Sequence, residues 1–135
     1  MGFTTSYANE ILRKLFDNSK YIALATEAPT ADSTGSTISE PSAEAGYARA
    51  KVSTGEFSAS NRKITNGAYI YFPEATQPWG TIKYLCIVNS AAIGAGTLDY
   101  FGQITNTSGE VGVAVGANTV PLFKPNTINI SLDAD

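Results

Sequence analysis

A chain of 135 residues is long enough for one domain that buries its own core and too short for two ordinary ones. Its apolar fraction of 43% is near the globular norm, while charged residues reach only 16% and Ser, Thr, Asn and Gly fill the difference, which excludes wholesale disorder and suits short strands joined by polar turns. The net charge is −3 and the nine basic residues are spread from Arg13 to Lys124, so the basic stripe that nucleic acid requires is missing.

No basic region followed by an apolar one succeeds Met1, and no apolar run approaches the roughly 20 residues needed to span a bilayer. The expectation is a soluble protein, made in a cytoplasm and not exported by the ordinary route. From Ser6 to Asp17, Ala8, Ile11, Leu12, Leu15 and Phe16 recur at three- and four-residue spacing and predict one helix. Ser6 would cap it, Glu10 would lie in its first turn, and Asn18-Ser19 would end it. A helix of about 12 residues is marginal alone in water, so it must dock, on its own domain's sheet or on a neighbouring subunit.

The period then changes. Tyr21 to Thr26 reads as a short strand buried on both faces. From Glu27 to Ala45 run nineteen residues with two prolines, many hydroxyls and one bulky apolar side chain, Ile38. Loops of that length are usually functional or mobile, which makes Asp32, Thr34 and Ile38 candidate contact residues. Gly46 to Val52 alternates, with Ala48, Ala50 and Val52 on one face and Tyr47, Arg49 and Lys51 on the other. Asn66-Gly67 marks a turn before the strand Ala68–Phe72, which Pro73 ends. After the turn Gln77-Pro78-Trp79-Gly80, the run Thr81–Val88 is apolar on both sides and predicts a central strand. Gly94-Ala95-Gly96 turns into Leu98–Ile104, Val111–Val115 and Val120–Phe123 are weaker strands, and Thr127–Asp133 alternates with Ile128, Ile130 and Leu132 inward. Seven or eight short strands at regular spacing, without interleaved helices, predict an all-β antiparallel sandwich or jelly-roll-like barrel with one N-terminal α-helix, as a single domain over 1–135.

The search for chemistry finds little. No histidine is present, which removes Ser-His-Asp and Cys-His pairs, histidine-bearing zinc sites and the commonest general base. Cys86, the one cysteine, lies in an apolar run and reads as a buried small hydrophobe before a reactive thiol. Gly94-Ala95-Gly96-Thr97-Leu98-Asp99 lacks the third glycine and the following helix of a dinucleotide loop. Glu40, Glu44, Glu56, Glu74 and Asp99 are the carboxylates from which a glycosidase pair could be drawn, but they are scattered through loops and strand ends. Asp32, Asp133 and Asp135 lack a calcium-loop pattern, and the sequons at Asn106 and Asn129 read as chance matches. The expectation is therefore no enzyme, no metal and no cofactor. Trp79 is the strongest single candidate for stacking on a sugar, against the simpler reading that it closes one end of the core. Tyr47 and Tyr69 pose the same choice between an exposed interface and cross-strand pairing.

Taken in order, the segments resemble a family of small phage proteins described as tail fibre proteins. The resemblance is carried by Ala8-Asn9-Glu10-Ile11-Leu12, Tyr21-Ile22-Ala23-Leu24, the Thr/Pro/Asp-rich loop and Gly46-Tyr47-Ala48-Arg49. It continues through Thr65-Asn66-Gly67-Ala68, Phe72-Pro73-Glu74-Ala75-Thr76, Trp79-Gly80-Thr81-Ile82, Phe101-Gly102 and the ending Ile130-Ser131-Leu132-Asp133. Ser108 to Leu122 departs from it in regularity. The resemblance implies a virion component with no active site to carry over, a tail fibre or tail-tip protein active in assembly or host attachment, with a capsid decoration or head-fibre protein as the alternative. A glycan-cleaving enzyme, drawn from the carboxylates and not from the resemblance, is a remote reading. The resemblance also implies as partners copies of the chain itself, for which symmetry suggests a trimer, other tail or capsid proteins, and a host surface glycan or receptor.

Overall fold

The computed structural model describes residues 3–16, 20–105 and 109–132. Asp17 to Ser19, the Asn106 sequon, and Asp133 and Asp135 lie outside these residues; the N-terminal helix closes earlier than the expected Asp17, at Lys14 with Leu15 as its C-cap. The helix, α1, spans Thr5–Lys14. Its cap is Thr4, not Ser6: Thr4 is extended and its hydroxyl accepts a hydrogen bond from Tyr7 N at 3.3 Å. With the cap two residues earlier, Glu10 falls beyond the first turn, while Arg13 and Lys14 sit in the last turn where the helix dipole favours cations. Ala8 and Leu12 are buried. Phe16, just past the helix, stacks on Phe57 with ring centres 3.8 Å apart. The helix thus docks on its own chain.

The surface it docks on is a hairpin that the sequence pattern did not announce. Strands β3 (Phe57–Ser60) and β4 (Lys63–Asn66) pair antiparallel across Asn61-Arg62, both with positive φ (52° and 65°), the twist that two-residue hairpins require. Asn9 Oδ1 accepts from Arg62 N at 2.9 Å and ties the helix to this turn. The last strand, β11 (Asn129–Ser131), adds to β4 with Ile130 opposite Ile64.

The largest sheet has four antiparallel strands in the order β2 (Ala50–Val52), β1 (Lys20–Ala25), β7 (Tyr84–Val88), β8 (Leu98–Gln103). Ile22 faces Ile87 and Leu24 faces Leu85 across its centre. These side chains meet Leu12, Phe16, Phe57, Ile64, Ile70 and Ile130 in one core, so α1 and the smaller sheets cover one face. Full burial of each such side chain contributes roughly 1.5–3 kcal/mol. Ala23, Ala25, Cys86 and Val88 point to the opposite face and meet Ile38 from the long loop, together with Tyr84, Leu98 and Phe101. Burial of β1 on both faces is as the sequence predicted.

The run Thr81–Val88 is not one strand. It breaks at Lys83 into β6 (Gly80–Ile82) and β7, and β6 pairs instead with β9 (Val113–Val115). Lys83 N donates to Ala25 O at 2.9 Å and its carbonyl accepts from Ile104 N at 2.8 Å, so the chain changes sheets without losing backbone bonds. The break also resets the phase, because Ile82 joins Leu85 and Ile87 in the main core instead of Tyr84 and Cys86. Strand β5 (Ile70–Tyr71) pairs with β10 (Leu122–Phe123). Among the described residues there are eleven strands in four open antiparallel sheets, more than the seven or eight expected. The all-β antiparallel class with one N-terminal helix holds, and among the described residues the sheets do not close into a barrel.

Candidate functional site

Two regions concentrate what function this surface can have. The first is the long loop and its anchor. β2 is shorter than the alternating stretch that predicts it, since only Ala50–Val52 pairs with β1. Before Ala50 the phase is opposite: Tyr47 and Arg49 are buried and Ala48 is exposed, contrary to a shared face for Ala48, Ala50 and Val52. The cause is Arg49, whose guanidinium is drawn inward by Glu40. Arg49 Nε donates to Glu40 Oε2 at 2.9 Å and Nη2 to Oε1 at 2.6 Å, with side chains 0% and 3% exposed. The remaining donors reach Gly35 O (2.9 Å), Ser90 O (2.9 Å) and Ala95 O (2.8 Å). All five guanidinium N–H groups are thereby used, which is what makes burial of this charge tolerable.

Tyr47 completes the anchor. Its hydroxyl donates to Glu40 Oε2 and accepts from Leu24 N, at the point where β1 has outrun β2 and its N–H would lack a partner. Burial first, then the hydrogen bond and charge of Glu40, hold the Tyr47 phenol far above its ordinary range, so it stays protonated. Gly35 N donates to Gly96 O at 2.9 Å, and a Cβ at Gly35 would lie 2.1 Å from Ala95 O. Loop 27–45 and loop 89–97 are thus joined by a charged clamp at their base. Beyond it, Asp32 and Thr34 are exposed on turns that satisfy themselves, Asp32 N donating to Thr30 Oγ1 and Thr34 N to Thr37 Oγ1.

The second region is apolar and outward-facing. Tyr69 and Tyr71 are 49% and 59% exposed and stack with centres 5.9 Å apart. Tyr71 faces Leu122 across β5 and β10, and Val111, Val113, Val120 and Leu122 are all exposed. Val113 and Leu122 meet at an apolar cleft of about 90 Å³ between β9 and β10, floored by Leu24, Ile82 and Phe123. Segments 67–73 and 111–123 contain no charged residue.

The family model described as podophage GP4 fiber I protein gp80 matches residues 2–120. The chain belongs to this family of phage fibre proteins. No curated protein matches the chain. Among the described residues of this fibre I family member, no helix is long and apolar enough to cross a membrane, and no three Cys, Asp or Glu side chains gather in one place. Membership makes it a structural component of a phage virion.

Within this fibre protein, Trp79 and Tyr47 come together in the interior. Both are buried, their rings meet edge to face at 5.3 Å, and Trp79 Nε1 donates to Ala45 O at 2.9 Å. Neither ring is open to a ligand, so the stacking reading of Trp79 and the exposed reading of Tyr47 give way to core roles. Ile38 is half-buried under the loop, Asp32 and Thr34 stand near it in sequence, and Tyr69 belongs to the separate apolar face. Of the scattered carboxylates, Glu40 is consumed by the clamp, Glu56 accepts from Ser53 N at 2.7 Å, and Asp99 pairs with Lys20. Sequence reasoning missed Arg49 and Glu40 as partners, and Tyr71 and Leu122 as surface. The available signal was the charge-free stretch around both of the latter.

Proposed function

We propose that this fibre-family chain is a tail fibre or tail-tip component that acts by assembly and host attachment and not by catalysis. The observation that carries the reading is the charge-free apolar face of Tyr69, Tyr71, Val113 and Leu122. Exposed contiguous apolar surface of this kind marks a site of protein contact. Support comes also from the polar interior: Glu40, Arg49 and Tyr47, the groups with most chemical potential, are bonded to one another. The partners of this reading are copies of the chain and other tail proteins, joined after synthesis in the host cytoplasm. The clamped loop, with Asp32 and Thr34 at its surface, lies across the four-stranded sheet from the core that carries β5 and β10, and it would present hydroxyls to a host glycan or receptor.

Immunogold electron microscopy on intact particles, with an antibody against this chain, tests the location. Label at the tail supports the reading; label distributed over the head replaces it with capsid decoration. Hydrolysis of host glycans by the purified chain, abolished by Glu74→Gln or Glu56→Gln, would overturn the non-catalytic part.

A further inference from the structure

We propose that the β5–β10 face, with the adjoining edge of β9, packs on its counterpart in a second copy of this chain. The inference deepens the fibre reading above and rests on it only for the expectation of many copies on one particle. Three observations select a second copy as the occupant.

The first is charge. The chain carries a net charge of −3, yet segments 67–73 and 111–123 hold no charged side chain. A charge stands at the edge of the face, where exposed Lys124 shares a second cleft with Val113 and Leu122. The centre of the face is neutral, so it does not repel its own image and offers little to a partner read by ion pairs. The second is area. The exposed parts of Tyr69, Tyr71, Val111, Val113, Val120 and Leu122 amount to roughly 400–500 Å² on each copy, enough for the apolar centre of a standard interface of about 800 Å² per partner. The third is shape. The cleft of about 90 Å³ between β9 and β10 is open and apolar, with room for one aliphatic side chain. The exposed valines and leucine beside it supply such a side chain from the opposite copy, as rotational symmetry requires of a self-complementary patch. The stacked tyrosines add rigid contact area with little side-chain entropy to lose, and their hydroxyls suit the wet rim.

The test is sedimentation equilibrium on the full chain over about 1 to 100 µM, a range that brackets micromolar association. The native protein is expected to assemble as a dimer, because a face that packs on its own counterpart closes with two copies. Leu122→Glu and Tyr71→Glu are each expected to weaken assembly by at least about 100-fold, since each buries like charges against one another. Ile93→Glu, a charge placed on an exposed apolar residue outside the face, is expected to leave it unchanged. Far-UV circular dichroism and Trp79 emission matching the native protein establish that the variants are folded. A native chain that stays monomeric throughout overturns the proposal. So do Leu122→Glu and Tyr71→Glu proteins that assemble as tightly as native, or an Ile93→Glu protein that dissociates with them. The two readings fail separately: a self-associating chain found on the head defeats only the tail assignment, and a monomeric chain labelled on the tail defeats only this one.

Discussion

Arg49 is the residue on which the loop architecture turns. Its five donors hold one carboxylate and three carbonyls drawn from residues 35, 40, 90 and 95. Arg49→Met leaves Glu40 buried without its cation and is expected to cost about 3–5 kcal/mol in urea unfolding. The double change Arg49→Met with Glu40→Met is expected to recover part of that loss, because the stranded charge is gone. A single-variant cost below about 1 kcal/mol would show that the clamp does not hold the loops. Two neighbours give the fold a pH dependence. Burial, with a smaller effect of the Glu40 charge, pushes the Cys86 thiol from its ordinary 9.0 up to about 12, and Tyr47 is raised likewise from 10.0. Both groups keep their protons in the fold after the unfolded chain has lost them. Their contribution is therefore fully present below pH 9 and is lost as pH rises from there through about 12. Chemical denaturation at successive pH values should show stability falling by up to about 1.4 kcal/mol per pH unit for each group. The fall should be shallower in Cys86→Ala, whatever that variant's stability at neutral pH.

At the scale of elements, the loops behave as packed parts. Gly35→Ala would drive a Cβ into the Ala95 carbonyl, a backbone atom that cannot swing aside, so loops 27–45 and 89–97 must separate. The expected loss is about 1–3 kcal/mol, the range for overpacking. Gly116→Ala, where nothing lies within 4 Å, serves as the neutral comparison, and thermal melts of the two variants check the difference. The β3–β4 hairpin went unread in the sequence because its turn, Asn61-Arg62, has no glycine, and non-glycine residues seldom adopt positive φ. The break at Lys83 was equally silent, because a strand apolar on both sides looks the same whether it continues or changes sheets. By contrast, Ala8, Leu12, Phe16 and the alternating Ile128 and Ile130 announced their burial through spacing, and β1 through its continuous apolar run.

Over the whole molecule, the main core joins residues from Leu12 in the helix to Ile130 in the last strand, with Trp79 among them. Elements that share one core lose it together. We expect a single unfolding transition in denaturant, with Trp79 fluorescence and far-UV circular dichroism giving the same midpoint. Two separated midpoints would divide the chain into independent units. The four-stranded sheet also fixes what can face outward: its two buried faces leave the loop on one side and the β5–β10 face on the other.

Local chemistry by itself determined the class of this protein. Alternating apolar residues, turn residues between them, a single amphipathic segment and the missing histidine are properties of neighbours along the chain, and they specify an all-β fold with little means for acid–base catalysis. Tertiary structure alone decided which residues are surface. Trp79 and Tyr47 went inside because each found a buried polar partner, Ala45 O for one and Glu40 with Leu24 N for the other. Tyr71 and Leu122 stayed outside because Ile70 and Phe123, their immediate neighbours, point to the core, and alternation sends the next side chain away from it. Burial of Tyr47 and Trp79 depends on partners 7, 23 and 34 residues away along the chain, separations that run across loops and follow no helical or strand period.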